Sequence, residues 1–410
     1  MPKLAPPPEC SVAEVWKLLD ARIKPLPHER VLLSQALGRI LRENIHADAD
    51  QPPFDRSAVD GYALIPGPLS ARYRVIGSVK AGEVAQRAPG PGECLRIFTG
   101  AAVPARALAV LMQEDAKVDG KFISATRRLA PGENVRSRGG DLRKGRSLLA
   151  PGAYLGPVEL ALLAAVGQIR PRVASAPRVA HATTGDEIVP PDSQPGPGQI
   201  RNSNQALVSA LLQVSRVPAA NLHQEHWGDR AAHAARRLRS PPFAAADLIL
   251  ISGGASVGEH DYTARLLEDA GFNLAVRRVD VRPGRPLIVG FRGKQIAFGL
   301  PGNPVSHFVC FHLFVQRALF RLKGFAPPLW QRFPLSRELA NCANRRPTYW
   351  PATLELDQRR RRAVVAPQPW NNSGHLAALL GVQLLFLVPP NTKKLPAGRK
   401  VETLFFPAKL

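Results

Sequence analysis

Between residues 177 and 324 the sequence alternates short apolar stretches with longer amphipathic ones, and this alternation constrains the fold more than any other feature. The successive strand and helix pairs are expected at 178–183 with 203–214, 247–252 with 261–270, and 295–299 with 305–322. Strands and helices in this order predict an α/β domain with a mainly parallel sheet.

Each of these three strands ends in a loop that is rich in glycine and polar residues, at 183–187, 252–261 and 299–304. The carboxyl ends of parallel strands share one rim of the sheet, and ligands bind there. Loops without large side chains let backbone amides approach phosphate oxygens, and the N-terminus of the next helix adds a favourable dipole. The sequence therefore predicts a site for a phosphorylated ligand at this rim.

Carboxylates lie in the same loops. Asp186, Glu187 and Asp261 could together hold a hard divalent cation that screens phosphate charge. Asp261 is also a good N-cap for the helix that follows it, and Asp186 could cap a turn. A structural role for each carboxylate therefore stays open beside the metal site.

Arg282 and Arg285 flank a Pro-Gly turn. The guanidinium group suits planar and tetrahedral oxyanions, so this turn is a candidate oxyanion site. The alternative is a plain surface turn, because the chain has a net charge of +23 and most of this charge is expected to be spread over the surface. The arginine run 359–362 lacks interleaved aromatic residues, which predicts a solvated hairpin tip rather than a nucleic-acid platform.

The rest of the chain predicts a short helical start and two β-rich regions. Helices are expected at 11–20, 31–41 and 156–167, and strands at 73–79, 94–98, 108–112, 352–356 and 384–388. Ser11 is the expected N-cap of the first helix. The last two strands follow the linker 324–328 and indicate a small C-terminal β domain.

Polar loops of the first β-rich region hold further candidates, namely Asp60, Thr99 and Asp141. Loops that contain Asp, Thr and Gly can also be plain turns. The residue types alone therefore leave these three as candidates for the chemistry.

The chain has 410 residues, which is enough for several domains. Its four cysteines form no C-x-x-C pair, so neither a zinc knuckle nor a disulfide framework is indicated, and a reducing compartment fits. No apolar run is long enough to span a bilayer, and the N-terminus has no signal-peptide core. We therefore expect a cytoplasmic protein.

Eight stretches follow one another in a recognisable order, at 36–39, 52–63, 96–104, 132–141, 184–187, 252–261, 282–286 and 299–306. In these stretches the chain resembles the MoeA family, which includes the gephyrin E domain. The resemblance runs from about residue 11 to the C-terminus and is strongest between 34 and 320. All eight stretches in this order make the resemblance highly specific.

The resemblance implies a multidomain α/β plus β fold. Its centre is a three-layer α/β molybdopterin-binding domain like those of MoaB and MogA. A mostly β domain is inserted near the N-terminus, and a β-barrel-like domain ends the chain. The expected boundaries are 1–47 with 140–176 for an N-terminal helical and linker domain, 48–139 for the inserted β domain, 177–326 for the α/β domain and 327–410 for the C-terminal β domain.

The activity that the resemblance implies is molybdenum insertion. Molybdate and adenylylated molybdopterin are the expected substrates, AMP is released, and Mg²⁺ or a similar divalent cation assists. The cleft is expected between the α/β domain of one subunit and the β domain of the other in a homodimer. Molybdopterin adenylyltransferase and other proteins of the same pathway are possible partners, whereas neither a membrane nor nucleic acid is expected.

Site residues are carried over from the family motif by motif. The catalytic residues are Asp60, Thr99, Asp141, Glu187 and Asp261. The substrate-binding residues are Gly185, Ser252, Gly253, Gly254, Ser256, Arg278, Arg282, Arg285, Pro301, Gly302, Asn303, Pro304 and Ser373. The metal ligands are Glu187, Asp229 and Asp261.

The chain departs from the family at some of these positions. Arg278, Arg282 and Arg285 stand where the family usually has lysines, and Pro351 stands in place of an arginine. Arginine keeps the charge but changes the hydrogen-bond geometry, and Pro351 removes a cation. We therefore expect weaker molybdate binding than is usual in the family, with pterin binding unaffected.

Three other functions compete with this interpretation. Molybdopterin adenylylation is the alternative activity, because the α/β domain resembles adenylyltransferases of the same pathway. The segments of Asp60 and Thr99 and the last β domain argue against it. A diverged paralogue could act as a non-catalytic scaffold, which the complete acidic set argues against. Nucleic-acid binding rests on the net charge alone and is the weakest alternative.

Overall fold

The computed structural model describes residues 9–253 and 260–406, and the side chains of His260 and Asp261 lie outside this description. The chain divides into two compact units. The larger unit consists of the described parts of 1–30, 38–40 and 172–410, and the smaller unit of 31–37 and 41–171. The expected division into four domains is finer than this one and stays a prediction.

A six-stranded sheet, which we call the central sheet, lies in the larger unit. Its strands in spatial order are Leu222–His226, Val179–Thr183, Leu248–Ser252, Gln295–Leu300, Ile288–Arg292 and Asn273–Val276. The first four strands are parallel to one another, and the last two pair in antiparallel fashion. The mainly parallel sheet that the alternation predicts is therefore confirmed.

Helices cover both faces of the central sheet, because successive side chains of a strand point to opposite faces. Leu248 and Leu250 are buried in the core on one face, and Ile249 and Ile251 in the core on the other. The helices on the first face are Val12–Arg22, Ser203–Val214, Pro304–Cys310 and Gln316–Leu322, and those on the second are Ala231–Arg239 and His260–Asp269. The result is a three-layer α/β domain, as expected.

The first helix begins as its sequence predicts. Glu14 N donates a hydrogen bond to Ser11 Oγ at 3.2 Å, and Ser11 N donates to Glu14 Oε2 at 2.7 Å. This reciprocal capping box satisfies two donors at the helix start. Three short strand pairs complete this part of the unit: Cys10–Ser11 with Val279–Asp280, His28–Arg30 with Arg172–Ala174, and Ile188–Val189 with Ile200–Arg201.

The C-terminal part of the larger unit is an antiparallel sheet of five strands. Their spatial order is Gln331–Pro334, Lys400–Phe405, Leu384–Val388, Thr348–Asp357 and Arg362–Pro367. A bridge between Leu335 and Val365 connects the two ends of this order, so the sheet curves towards closure. This curvature gives the β-barrel-like character that the family resemblance implies. Residues 359–361 lie in the turn between the last two strands, and Arg362 begins the second of them, so the predicted hairpin tip is confirmed.

The smaller unit is mostly β. Its mixed sheet has the strand order Ala109–Met112, Gly61–Leu64, Glu93–Ile97, Arg72–Val79, Phe122–Ala125 and Ala116–Asp119. Two further pairs are Arg56–Ser57 with Val135–Arg136 and Ile45–His46 with Ser147–Leu149, and its helix is Pro157–Ala165. None of the helices in the described ranges is long and apolar enough to cross a membrane.

Two of the expected helices differ from the structure. Residues 31–41 contain only the 3-10 turn Leu33–Gln35. Their backbone forms hydrogen bonds with a distant segment instead, since Leu33 N donates to Ile169 O and Leu41 N donates to Ala153 O. The expected helix 305–322 forms, but a π-helical turn at Phe311–Val315 interrupts it.

Candidate active site at the rim of the central sheet

The carboxyl ends of the parallel strands open into a cleft of about 620 Å³ within the larger unit. Residues of all three glycine-rich loops line this cleft. The turn 282–286 and the loop 370–373 of the C-terminal sheet line it as well. The strand-end loops therefore converge, because parallel strands deliver them to one rim.

Backbone contacts hold these rim loops together. Thr184 N donates to Ser252 O at 2.9 Å, and Gly253 N donates to Leu300 O at 3.3 Å. Gly253 has a φ of +110°, and a Cβ there would lie 2.6 Å from Thr184 Oγ1. Only glycine allows this close approach, because any side chain would collide with the neighbouring loop.

Two fully buried histidines contact the rim loops from the protein interior. Gln224 Nε2 donates to His181 Nδ1 at 2.9 Å, so the His181 proton is on Nε2 and is donated to Ser252 Oγ at 2.7 Å. His307 Nδ1 donates to Pro301 O at 3.2 Å. Burial lowers the pKa of His181 to about 3 and that of His307 to about 4, so both rings are neutral at pH 7.

Four arginines line the cleft, and three of them, Arg282, Arg285 and Arg346, form what we call its cationic wall. The fourth, Arg201, donates through Nε to Ser193 O at 3.1 Å. Burial lowers the pKa of Arg346, and the positive charges of Arg285 and Arg282 lower it further, whereas the negative charges of Glu9 and Asp280 act to raise it. Glu9 Oε1 accepts a hydrogen bond from Arg285 Nε at 2.7 Å. Within the described part of the chain, Glu9 is the only carboxylate paired with any of the three. Such a wall suits a dianion.

The C-terminal sheet contributes a polar loop to the cleft. Asn303 Nδ2 donates to Ser373 Oγ at 3.0 Å, and Val305 N donates to Ser373 O at 2.9 Å. Asn303 belongs to the third rim loop and is the N-cap residue of the helix Pro304–Cys310. Ser373 is therefore held directly beside the rim.

Two carboxylates, those of Glu187 and Asp229, line the cleft. Asp229 Oδ2 accepts a hydrogen bond from Asp186 N at 3.2 Å, and Asp186 Oδ1 accepts one from Asp229 N at 3.0 Å. These reciprocal bonds connect the loop of Asp186 to the loop of Asp229. The described residues contain no cluster of three or more His, Cys, Asp or Glu side chains that could hold a metal ion. Mg²⁺ is usually bound by one or two carboxylates together with waters and substrate phosphates, so Glu187 and Asp229 fit it.

Asp60, Thr99 and Asp141 belong to the smaller unit. Thr99 donates to Asp60 Oδ1 through its backbone N and its Oγ1, each at 2.7 Å. These two bonds lower the pKa of Asp60, so its carboxylate is ionised at neutral pH. Asp141 Oδ2 lies 3.6 Å from Arg56 Nη2. The structure thus brings Asp60 and Thr99 together and gives Asp141 a cationic neighbour.

Most of the expected substrate-binding residues line the cleft: Gly185, Gly253, Arg282, Arg285, Pro301, Gly302, Asn303, Pro304 and Ser373. Ser252 is instead buried against His181, and Arg278 accepts a backbone bond from Cys10 N outside the cleft lining. Gly254, Ser256 and the side chain of Asp261 lie outside the described residues. The roles of all these residues stay predictions.

The cleft also contains residues that sequence reasoning missed, namely Arg201, Asn204, Arg346 and Trp370. Arg201 and Asn204 flank the start of the helix Ser203–Val214, and a helix start behind a rim loop is a signal that could have found them. Arg346 and Trp370 belong to none of the matched stretches, so nothing local in the sequence pointed to them.

Pro351 does not lie in the cleft. It is buried in the strand Thr348–Asp357, opposite Leu385 of the neighbouring strand. Arg346 precedes the same strand and does line the cleft. The C-terminal part therefore still supplies a cation, although Pro351 cannot.

An α/β fold whose rim loops and arginines surround a cleft is typical of the class of proteins that bind phosphorylated, anionic ligands. The family model described as MoeA N-terminal region (domain I and II) matches residues 10–167. The one described as probable molybdopterin binding domain matches residues 180–321. The molybdopterin molybdenumtransferase of Nostoc sp. is 32% identical over 394 residues, which cover 92% of this chain and 89% of the relative.

Further similar proteins belong to the same family. The molybdopterin molybdenumtransferase of Bacillus subtilis is 34% identical over 299 residues, covering 70% of this chain and 69% of the relative. The crystal structure of the molybdopterin biosynthesis MoeA protein from Pyrococcus horikoshii OT3 has a TM-score of 0.76 and 27% identity, covering 97% of this chain and 100% of that chain. The chain therefore belongs to the molybdopterin molybdenumtransferase family and has a role in molybdenum cofactor biosynthesis. The expected family, fold class and transferase class are confirmed.

Proposed function

We propose that this chain inserts molybdenum from molybdate into the dithiolene of adenylylated molybdopterin and releases AMP. The main support is the cleft itself, where glycine-rich loops, four arginines and two carboxylates line one space. The reaction is proposed to take place in the cytoplasm, where free thiols such as the four cysteines of this chain stay reduced.

The phosphate groups of the substrate would lie against the rim loops. Gly185, Gly253 and Gly302 line the cleft without side chains, so phosphate oxygens could approach the backbone of these loops closely. A Cβ at Gly302 would lie 3.7 Å from Gly253 Cα, which shows how closely two of the loops approach. This arrangement would fix the pyrophosphate link while leaving the pterin end free to face the arginines.

Molybdate would bind at the cationic wall. Arg282, Arg285 and Arg346 can donate charge-assisted hydrogen bonds to its oxygens, each worth about 1.5–3 kcal/mol. Ser373, held by Asn303, would supply a neutral polar group at the same wall. Because the substrate provides its own sulfur atoms, no cysteine nucleophile is required.

Glu187 and Asp229 would hold the divalent cation, and Asp261 is the third proposed ligand. When bound, the cation screens phosphate charge and stabilises charge that develops on the cleaved phosphoanhydride. The reciprocal bonds between Asp186 and Asp229 keep Asp229 at the edge of the cleft. The role proposed for this chain is therefore to position the cation rather than to supply a nucleophile.

The proposed reaction is tested by supplying purified protein with adenylylated molybdopterin, Mg²⁺ and molybdate. AMP and active cofactor should appear together, and both should require molybdate. If the protein instead consumes ATP and molybdopterin to form adenylylated molybdopterin, it is an adenylyltransferase. If neither reaction occurs, the scaffold alternative is favoured.

We also propose that the chain acts as a homodimer, in which Asp60 and Thr99 of one copy serve the cleft of the other. Apolar side chains of the smaller unit stay exposed on or beside the helix Pro157–Ala165, and they are Leu32, Leu37, Tyr154, Val158 and Ile169. Only Leu163 of this helix is buried. An apolar surface of this kind is typical of a self-complementary interface.

Mixing two inactive variants tests this assembly. Asp60→Asn and Glu187→Gln should each lose activity, and heterodimers of the two should regain it, because one cleft is then entirely wild type. Light scattering should give twice the mass of the chain. A monomer at working concentration, or no recovery after mixing, would contradict the shared cleft.

A further inference from the structure

The cleft contains an indole ring that contacts one of its guanidinium groups. Trp370 lines the cleft and is only 7% exposed. The guanidinium carbon of Arg282 lies 5.1 Å from the centroid of its ring. We propose that Trp370 is a positioning residue for the anion site, because its ring keeps Arg282 directed into the cleft.

The backbone of Arg282 is fixed separately from its side chain. Arg282 N donates to Pro347 O at 2.9 Å, and Tyr349 N donates to Arg282 O at 2.8 Å. These bonds attach the turn to the start of the strand Thr348–Asp357. These backbone bonds therefore fix the point at which the Arg282 side chain leaves the main chain. The position of its guanidinium group depends on contacts farther along the side chain.

The positive charges of neighbouring arginines repel the guanidinium group of Arg282. Arg285 and Arg346 line the same cleft, and Glu9 pairs with Arg285. No carboxylate in the described ranges is paired with Arg282. A guanidinium group within about 6 Å of an indole centroid is attracted by the ring quadrupole. Trp370 therefore offsets the repulsion for Arg282, as Glu9 does for Arg285.

The ring of Trp370 is itself held on two sides. Its Nε1 donates to Asn372 O at 2.6 Å, and Trp350 packs edge-on with ring centroids 5.2 Å apart at 84°. Trp350 Nε1 in turn donates to Gln368 O at 2.9 Å. Trp370 thus links the arginine turn to the loop that carries Ser373.

This contact gives a physical reason for arginine rather than lysine at position 282. The planar, weakly hydrated guanidinium group stacks on an indole face, whereas a compact ammonium group keeps its water. Arg282→Lys preserves the charge but loses most of the stacking. Its effect on anion binding should therefore approach that of removing the ring.

The positioning role of Trp370 rests on the proposed function in one respect, which is that molybdate is the anion used as the probe. Wild type, Trp370→Leu, Trp370→Phe, Arg282→Gln and the double variant Trp370→Leu with Arg282→Gln are titrated with sodium molybdate by calorimetry at constant ionic strength. Trp370→Leu should weaken binding about 3- to 30-fold, and Trp370→Phe should restore most of the loss. The double variant should bind as weakly as Arg282→Gln and no more weakly.

Trp330→Leu is the matched control, because Trp330 contacts Trp16 and Tyr349 rather than an arginine. Its molybdate affinity should equal that of the wild type. Additive losses in the double variant would mean a general structural role and would overturn the proposal. Should Trp370→Leu not fold, Arg282→Lys tests the same contact, and an unchanged affinity overturns it.

The outcomes separate this proposal from the function that underlies it. If the wild type binds molybdate and Trp370→Leu binds it equally well, only the positioning role fails. If the wild type binds no molybdate, the proposed oxyanion site fails and the positioning role fails with it.

Discussion

The cleft of the larger unit and the sheet of the smaller unit are both rich in arginine, but their charges are compensated differently. In the smaller unit, Arg74 and Arg87 both pair with Glu93. In the cleft, four arginines line one space, and among the described residues Glu9 is the one carboxylate paired with any of them. The net charge of +23 therefore does not by itself mark an anion site. We expect an anion site where arginines cluster with few carboxylate partners, as they do in the cleft.

The difference has a geometric cause. Strand pairing brings side chains into register, and Arg74 lies directly opposite Glu93. Arg282 and Arg346 lie outside the regular strands, on a turn and on a coil segment, so strand register supplies them with no such neighbour. A bound anion can therefore act as the missing partner.

The largest effect is expected for the carboxylate of the smaller unit that matches a catalytic motif. Asp60→Asn should lower AMP release by about 10²-fold or more, because the charge that Thr99 stabilises is lost. Circular dichroism should show unchanged folding, since Asp60 lies on a loop. Asp119→Asn, an exposed position paired with Arg72, is the control and should stay active. Wild-type turnover of Asp60→Asn would exclude this loop from the active site.

Acid should destabilise the larger unit before the smaller one. Burial lowers the pKa of His181 to about 3 and those of His307 and His312 to about 4. The unfolded chain takes up these protons near pH 6.5, whereas the folded unit does not. This contribution to stability is therefore complete above about pH 6.5 and is lost as the pH falls towards 4, by up to roughly 3 kcal/mol per histidine.

Hydrogen exchange at pH 6.5 and 4.5 measures this difference unit by unit. Protection should fall in the central sheet and persist in the smaller unit, whose single histidine, His46, is exposed. His307→Leu should reduce the pH dependence, and His46→Gln should leave it unchanged. Equal loss of protection in both units would show that the buried histidines are not its cause.

A smaller effect, on molybdate affinity, is expected when an arginine of the cleft is replaced. Replacement of a carboxylate-paired arginine of the smaller unit is the comparison. Arg346→Gln should weaken molybdate binding by about 1.5–3 kcal/mol, or roughly one to two decades. Arg87→Gln, which removes a partner of Glu93, should leave the affinity unchanged. Calorimetry on both variants checks this. Equal affinities for Arg346→Gln and wild type would place the oxyanion elsewhere.

The smallest effect is expected for the paired charges of the smaller unit. Arg74→Gln should move the thermal midpoint by no more than about 2 °C, because exposed ion pairs are screened by solvent. Arg87 and Arg74 lower the pKa of Glu93 to about 2. The small contribution of these pairs is therefore present above about pH 4.5 and is lost as the pH falls towards 2. A large shift of the thermal midpoint in calorimetric scans at pH 7 would contradict the expectation that these exposed ion pairs contribute little stability.

Much of the central domain follows from the sequence alone, because its signals are local. The alternation of strands and helices predicts the parallel sheet, and Ser11 predicts the start of the first helix as its N-cap. The convergence of the three glycine-rich loops also follows, since parallel strands end at one rim. The family motifs then point to the chemistry of that rim.

Tertiary structure alone decided the rest. Periodicity reports which face of a segment is apolar, but it does not say which distant loop packs against it. Arg346 and Trp370 reach the cleft only because the C-terminal sheet packs beside the rim, and Ser252 turns inward only because His181 lies behind it. The apolar spacing of 31–41 does not become a helix, because backbone bonds to a distant segment replace the helical ones. Contacts between residues far apart in the chain have no local pattern, so they appear only when the chain is folded.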